Sequence, residues 1–170
     1  DRLFRLGWWD LHGFARFLGG ESSAERDVAP LEVTLHEEQP GRLRTPTRTT
    51  KVMLRSDGRY RSPHPELPPE VAAGRIKRLR PAGRPVEARM LALAGAREEG
   101  FGLREWIWGP LVEEGFELYF FELPYYGTRR RETQRSATVL TVSDHILLNE
   151  AMILESRALL MRLPARTPVG

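Results

Sequence analysis

The sequence predicts an α/β domain in which antiparallel lead-in strands precede parallel strand–helix–strand–helix units. Three observations carry this. Before Pro85, three segments alternate apolar and polar residues with the period of half-buried strands. After Pro85, two short apolar runs, ARMLALAG (88–95) and FELYFFEL (116–123), read as strands buried on both faces. Each is followed by a helical pattern, and strand, helix, strand, helix with short joints implies parallel strands linked by right-handed crossovers.

Taken in order, residues 1–20 form an N-terminal amphipathic helix. Leu3, Phe4, Leu6, Trp8, Leu11, Phe14, Phe17 and Leu18 recur at helical spacings before Gly19-Gly20 ends the pattern. Its apolar face is expected to dock on the domain, with a membrane surface as the alternative. Residues 21–30 read as a linker and 31–170 as the partial α/β domain. LEVTLHEE (31–38), KVMLRSDGRYR (51–61) and GRIKRLR (74–80) are the lead-in strands, with Asp57-Gly58 expected as a hairpin turn. SPHPELPPE (62–70) carries four prolines and is expected to be a loop. LREWIWGPLVEE (103–114) is a helix that Gly109-Pro110 interrupts. The longest helical pattern is 142–163, with Thr141 and Asp144 spaced as a capping box and Pro164 stopping it.

Composition excludes several classes of function. The chain has 170 residues, 41% of them hydrophobic and 29% charged, which suits one soluble core. It has no cysteine, so disulfide frameworks and thiolate zinc sites are excluded. No apolar stretch approaches the roughly 18–20 residues of a membrane-spanning helix, and the cytoplasm is the expected compartment, with membrane-surface association as the alternative. Although the pI is near 9.7, the net charge is only +3, from 26 basic and 23 acidic residues. The arginines are scattered rather than ranged along one element, which argues against dedicated nucleic-acid binding.

No resident cofactor is implied. His12, His36, His64 and His145 lie in different elements without metal-ligand spacing, and no phosphate-cradling glycine loop is present. Glu150 and Glu155 are five apart, on different helix faces, so they do not form a carboxylate pair. Ser143-Asp144-His145 contains three triad residue types, but neighbours on a helix point about 100° apart and cannot form a relay. Ser143 and Asp144 are helix-start residues.

Four blocks in order then carry a resemblance: DGRYRSP (57–63), the LALAG strand end, PLVEEGFELYFFELPYYG (110–127) and VSDHILLNEAMILESRALL (142–160). Over about residues 57–163 the chain resembles the abhydrolase-domain-containing protein eighteen family of α/β-hydrolases. The resemblance implies the N-terminal half of an α/β-hydrolase fold, with FELYFFEL as the strand usually numbered fourth. It also implies an acyl-ester substrate, a lipid ester among the candidates, handled by a serine acyl-enzyme. In such a fold one oxyanion donor is a backbone N–H just after the third strand, which here means Gly95, Ala96 or Arg97. The family's Thr-Gly-Asp-His-like run is replaced by Ala96-Arg97-Glu98-Glu99, which puts two carboxylates beside the expected oxyanion.

Tyr125, Tyr126 and Gly127 would line the pocket mouth, with Arg129, Arg130 and Arg131 beyond it, where an anionic head group would suit guanidinium forks. Simple packing of the tyrosines and solvation of the arginines is the competing explanation. No G-x-S-x-G nucleophile turn occurs in the sequence; Gly20-Glu21-Ser22-Ser23-Ala24 follows no buried strand. No catalytic residue is therefore assigned in this chain, which by itself is expected to be inactive. The alternatives are a non-catalytic subunit or binding module that keeps half the fold and, further off, an Arg-rich nucleic-acid-associated protein. A partner chain or a second copy is expected beside strand residues 90–95.

Overall fold

The computed structural model of the chain describes residues 31–42 and 53–163. The proposed N-terminal helix and linker, and the TPVG end, lie outside them. Six strands form one mixed, mostly antiparallel sheet: β1 (Val33–Leu35), β2 (Gln39–Gly41), β3 (Met53–Arg61), β4 (Ala73–Pro81), β5 (Ala88–Ala92) and β6 (Phe116–Phe121). Their order is β1-β3-β4-β6-β5, with β2 also paired to β3. Only β5 and β6 run parallel, with Ala88 opposite Phe116 and Ala92 opposite Phe120. The antiparallel lead-in and the parallel strand–helix–strand unit are both present.

Helix α1 (Pro69–Ala72) precedes β4, α2 (Gly102–Trp108) links β5 to β6, and α3 (Val142–Arg162) follows β6. The proline-rich stretch is therefore not wholly a loop. Proline is tolerated in the first helical turn because its missing N–H has no partner there, and Pro68 O accepts from Val71 and Ala72. At Gly109-Pro110 the helix α2 gives way to a 3₁₀ helix (Gly109–Glu114), as the sequence leads one to expect. Thr141 Oγ1 accepts from the Asp144 N–H at 3.0 Å and caps α3. The reciprocal half of the box is absent, because Asp144 is turned to Arg131 at 2.8 Å.

The sheet is buried through β6. Tyr119 and Phe121 face one core with Tyr60, Val71, Ile76, Leu148, Leu154 and Leu159, whereas Leu118 and Phe120 face the other with Met53, Leu79, Phe101 and Val112. This two-residue alternation sandwiches β6 between α3 and the α2 side. Strand β5 differs from expectation. Four of its five residues are only half-buried, because among the described residues it is the sheet edge.

The expected Asp57-Gly58 turn is corrected as well. Both residues lie inside β3, which runs unbroken against all of β4. Gly58 serves a close approach instead: a Cβ there would lie 2.3 Å from Thr34 O and 2.9 Å from Leu35 Cδ2, so only glycine lets β1 pair at this register.

Candidate active site

The carboxyl ends of β5 and β6 lie side by side, and the loops leaving them are where open α/β sheets bind ligands. One side chain sets both ends. The buried Arg104 of α2 donates from Nη1 to Ala92 O at 2.8 Å and to Phe121 O at 3.0 Å. Its Nη2 donates to Gly100 O and its Nε to Glu98 Oε1 at 3.0 Å. A single guanidinium thus satisfies the last carbonyls of two parallel strands and holds the loop between β5 and α2.

Glu98 uses its second oxygen to accept the Gly95 N–H at 2.9 Å. Glu99 accepts from the Ala137 N–H at 2.9 Å and from Arg130 at 3.2 Å. Both carboxylates that replace the family pattern are thereby matched to arginines. The Arg97 N–H donates to the Tyr126 hydroxyl at 3.1 Å, across the gap between the two loops. Of the three oxyanion candidates, Gly95 and Arg97 have their N–H groups engaged; the Ala96 N–H has no acceptor among the described residues.

Each loop also contains one strained residue. Arg97 has φ +64° and Tyr125 has φ +63°, and these are the only side-chain-bearing residues with positive φ among those described. Such conformations cost about 1–3 kcal/mol apiece and persist where surrounding structure over-determines them.

The loop after β6 is not the solvated arginine run that its sequence suggests. Tyr125 is fully buried rather than at a rim, with the Arg131 guanidinium 5.5 Å from its ring centre. Its hydroxyl is enclosed without a hydrogen-bond partner among the described residues; burial first, and then the Asp144 carboxylate, pushes its pKa well up. Gly127 has φ +51°, and its Cα packs against Glu122, whose Oε1 accepts the Thr128 N–H at 2.9 Å and Arg75 Nη2 at 3.0 Å.

Arg129 departs furthest from expectation: neither rim nor solvated, it is 0% exposed. It forms a bidentate pair with the equally buried Glu155 of α3, at 2.6 and 2.9 Å. It also donates to Val71 O, Glu122 O and the Tyr60 hydroxyl, each at 2.7 Å. Burial, then the Glu155 charge, raises the Tyr60 pKa well above its ordinary value. Only Arg130 and Arg131 stay half-exposed, and both are paired, to Glu99 and Asp144. An open cavity of about 520 Å³ is lined by Pro68 and Glu70 together with Arg131, Glu132 and Thr133 of this loop.

The family model described as "alpha/beta hydrolase domain containing 18" matches residues 1–167. The chain belongs to that family. No curated protein matches the chain. Membership agrees with the mixed, mostly antiparallel sheet and its helices, which are consistent with an alpha/beta hydrolase-like fold. Among the described residues no group of three or more histidines and carboxylates could hold a metal ion. No described helix is long and apolar enough to cross a membrane.

Arg104, Glu98, Glu122, Tyr60 and Glu155 hold these loops together; sequence reasoning placed Glu98 beside the expected oxyanion without its partner and gave the other four no part. A usable signal existed for Arg104 and Glu98. They are six apart, straddle the glycine-rich start of α2 and carry opposite charges.

Proposed function

We propose that this chain provides the scaffold and one oxyanion loop of an acyl-ester hydrolase, lipid esters being the substrate class that the family resemblance favours. The supporting observation is the Ala96 N–H, which has no acceptor among the described residues and lies between two engaged neighbours at the carboxyl ends of parallel strands. Preorganised backbone donors of this kind are worth about 10²–10³ in turnover when they meet a developing oxyanion. The chain contributes neither nucleophile nor acid nor histidine base, so alone it does not turn over esters.

Hydrolysis of p-nitrophenyl octanoate, with fluorophosphonate labelling in parallel, tests this. The 170-residue chain should do neither. A family protein that carries these segments together with a G-x-S-x-G turn should do both, and should lose at least about 10-fold in kcat when proline replaces the residue at the Ala96 position. Absence of labelling and turnover in such a protein would defeat the hydrolase proposal.

The binding-module alternative draws on a separate observation: β5 ends the sheet among the described residues, leaving one row of its N–H and C=O groups open to a further strand. A partner chain or a second copy is proposed beside residues 90–95.

A further inference from the structure

We propose that the exposed apolar stripe of α2 and the arginine-bearing face of β3 beside it form one docking surface for an anionic lipid bilayer. This surface draws on residues that neither the hydrolase reading nor the open edge of β5 uses.

Helix α2 turns Arg104 and Glu105 inward, so Leu103, Trp106 and Ile107, at i, i+3 and i+4, share its outer face. All three are at least 45% exposed, and Trp108 ends the helix exposed as well. Four large apolar residues on one short helix exceed the single, scattered exposures that are normal on a protein surface. Tryptophan points to the kind of environment that suits them. Its ring is apolar and its N–H polar, and it concentrates where lipid headgroups meet acyl chains.

Charge lies beside this stripe, on the same side of the sheet. Alternation along β3 sends Met53 into the core on the α2 side and leaves Arg55, Asp57, Arg59 and Arg61 exposed along that face. The antiparallel register sets Arg75 of β4 directly opposite Arg59, and Lys77 opposite Asp57. Like charges facing each other across a strand pair are destabilising, so the fold gains nothing from Arg59 beside Arg75. The other charges here cancel in pairs: Arg55 with Asp57 at 3.2 Å, Arg75 with Glu122 at 3.0 Å, and Lys77 with Glu105. The side chains of Arg59 and Arg61 have no partner among the described residues.

Printed contacts of Lys77 and Arg75 join the two halves. The Lys77 ammonium bonds Glu105 of α2 and lies 3.7 Å from Oδ1 of Asp57, which stands between Arg55 and Arg59 on β3. The Arg75 guanidinium lies 5.6 Å from the ring centre of Phe101, the residue that leads into α2. The arginines therefore border the start of α2, whereas Glu113 and Glu114 follow its far end. A bilayer with anionic headgroups answers both halves at once: apolar side chains enter the headgroup–acyl boundary while guanidinium groups pair with phosphodiester oxygens. An acidic polymer offers the charge but no hydrocarbon for Leu103 and Ile107, and a neutral bilayer offers hydrocarbon without the charge.

Flotation of the 170-residue chain with phosphatidylcholine vesicles containing about 30% phosphatidylglycerol tests this. The chain should bind them, and should bind phosphatidylcholine alone about 10-fold more weakly or worse. Arg59→Gln/Arg61→Gln should weaken binding by about 10-fold or more, each arginine near an anionic surface contributing about fivefold. Trp106→Ser/Ile107→Ser should also weaken it by about 10-fold or more. Arg42→Gln/Arg135→Gln, which removes the same charge from exposed positions elsewhere, should change it by less than about threefold.

No binding, equal binding to neutral vesicles, or full binding by either face variant would overturn the proposal. Residues 1–20 are the rival within the chain: binding lost in Trp8→Ser/Trp9→Ser but kept in both face variants would assign the contact to them and overturn it. A short RNA bound more tightly than the vesicles, through Arg59 and Arg61 but not Trp106, would make the partner an acidic polymer and overturn it too. Should a face variant fail to fold, the wild-type chain labelled with 5-fluorotryptophan decides: spin-labelled lipid must broaden the Trp106 signal, and an unbroadened signal overturns the docking surface.

Discussion

Gly127→Ala should destabilise the domain by about 3 kcal/mol, and the structure divides this cost into two parts that one control separates. The first part is backbone. Gly127 sits at φ +51°, where a Cβ crowds the neighbouring carbonyl at about 1–2 kcal/mol. The second is a collision, since a Cβ would lie 2.0 Å from Glu122 Oε1 and 2.9 Å from its Cδ. Glu122 is 2% exposed and bonded to Thr128 and Arg75, so displacing it breaks charge-assisted hydrogen bonds worth about 1.5–3 kcal/mol each.

Gly83 is the control. Its φ is +74°, and nothing lies within 4 Å of a Cβ built there, so Gly83→Ala carries the backbone cost alone, about 1 kcal/mol. Urea unfolding of the three proteins by circular dichroism at 222 nm gives both values. The Gly127 variant should also melt lower by about 4 °C per kcal/mol. Equal losses in the two variants would mean that Glu122 is not held against Gly127, and the account of how the chain leaves β6 would fail.

Three further outcomes are expected. Glu155→Gln should cost about 3–5 kcal/mol because it strands the buried Arg129 charge, and Arg129→Met/Glu155→Leu should cost much less than the two single changes added together; additive losses in a double-mutant cycle would refute the pairing. Burial raises the pKa values of Tyr60, Tyr119 and Tyr125 above 10.0, so the folded chain holds their protons where the unfolded chain releases them. Stability is then fully present below about pH 10 and falls as pH climbs above it, with phenolate absorbance at 295 nm appearing together with unfolding; ionisation of these phenols near pH 10 in a folded chain would contradict their burial. At low protein concentration, alternate amides of β5 should exchange quickly in the monomer and become protected on association, measured by exchange and by solution size; a monomer with every β5 amide protected would rule out an open edge.

Much of this architecture is legible from period and punctuation. FELYFFEL reads as a doubly buried strand because its alternate residues feed two cores, and the 21-residue α3 announces itself through its spacing and the Thr141 cap. Asp57-Gly58 misleads because a glycine that admits β1 is chemically identical to a glycine that turns a hairpin; the sequence does not show which strand crosses it. Arg129 misleads for a related reason. Next to two other arginines it looks solvated, and the partners that bury it, Glu155 and Tyr60, are 26 and 69 residues away.

Helix α2 inverts the usual rule outright. Arg104 and Glu105 face inward, paired to Glu98 and Lys77, while Leu103, Trp106, Ile107 and Trp108 stay between 40% and 55% exposed. A hydrophobic pattern assigns that helix the wrong face. Hence the residues that position the site were less legible than the strands that carry them: their partners are charges brought together by the sheet, not neighbours in sequence.

Amide hydrogen exchange at Gly95, Ala96 and Arg97 tests the central claim most directly. The Gly95 N–H is bonded to Glu98 and the Arg97 N–H to Tyr126, with Ala96 left as the open donor between them. The account predicts slow, fast, slow along these three residues, with Glu98→Gln or Arg104→Lys speeding exchange at Gly95. A protected Ala96, or one common rate for all three, would contradict it.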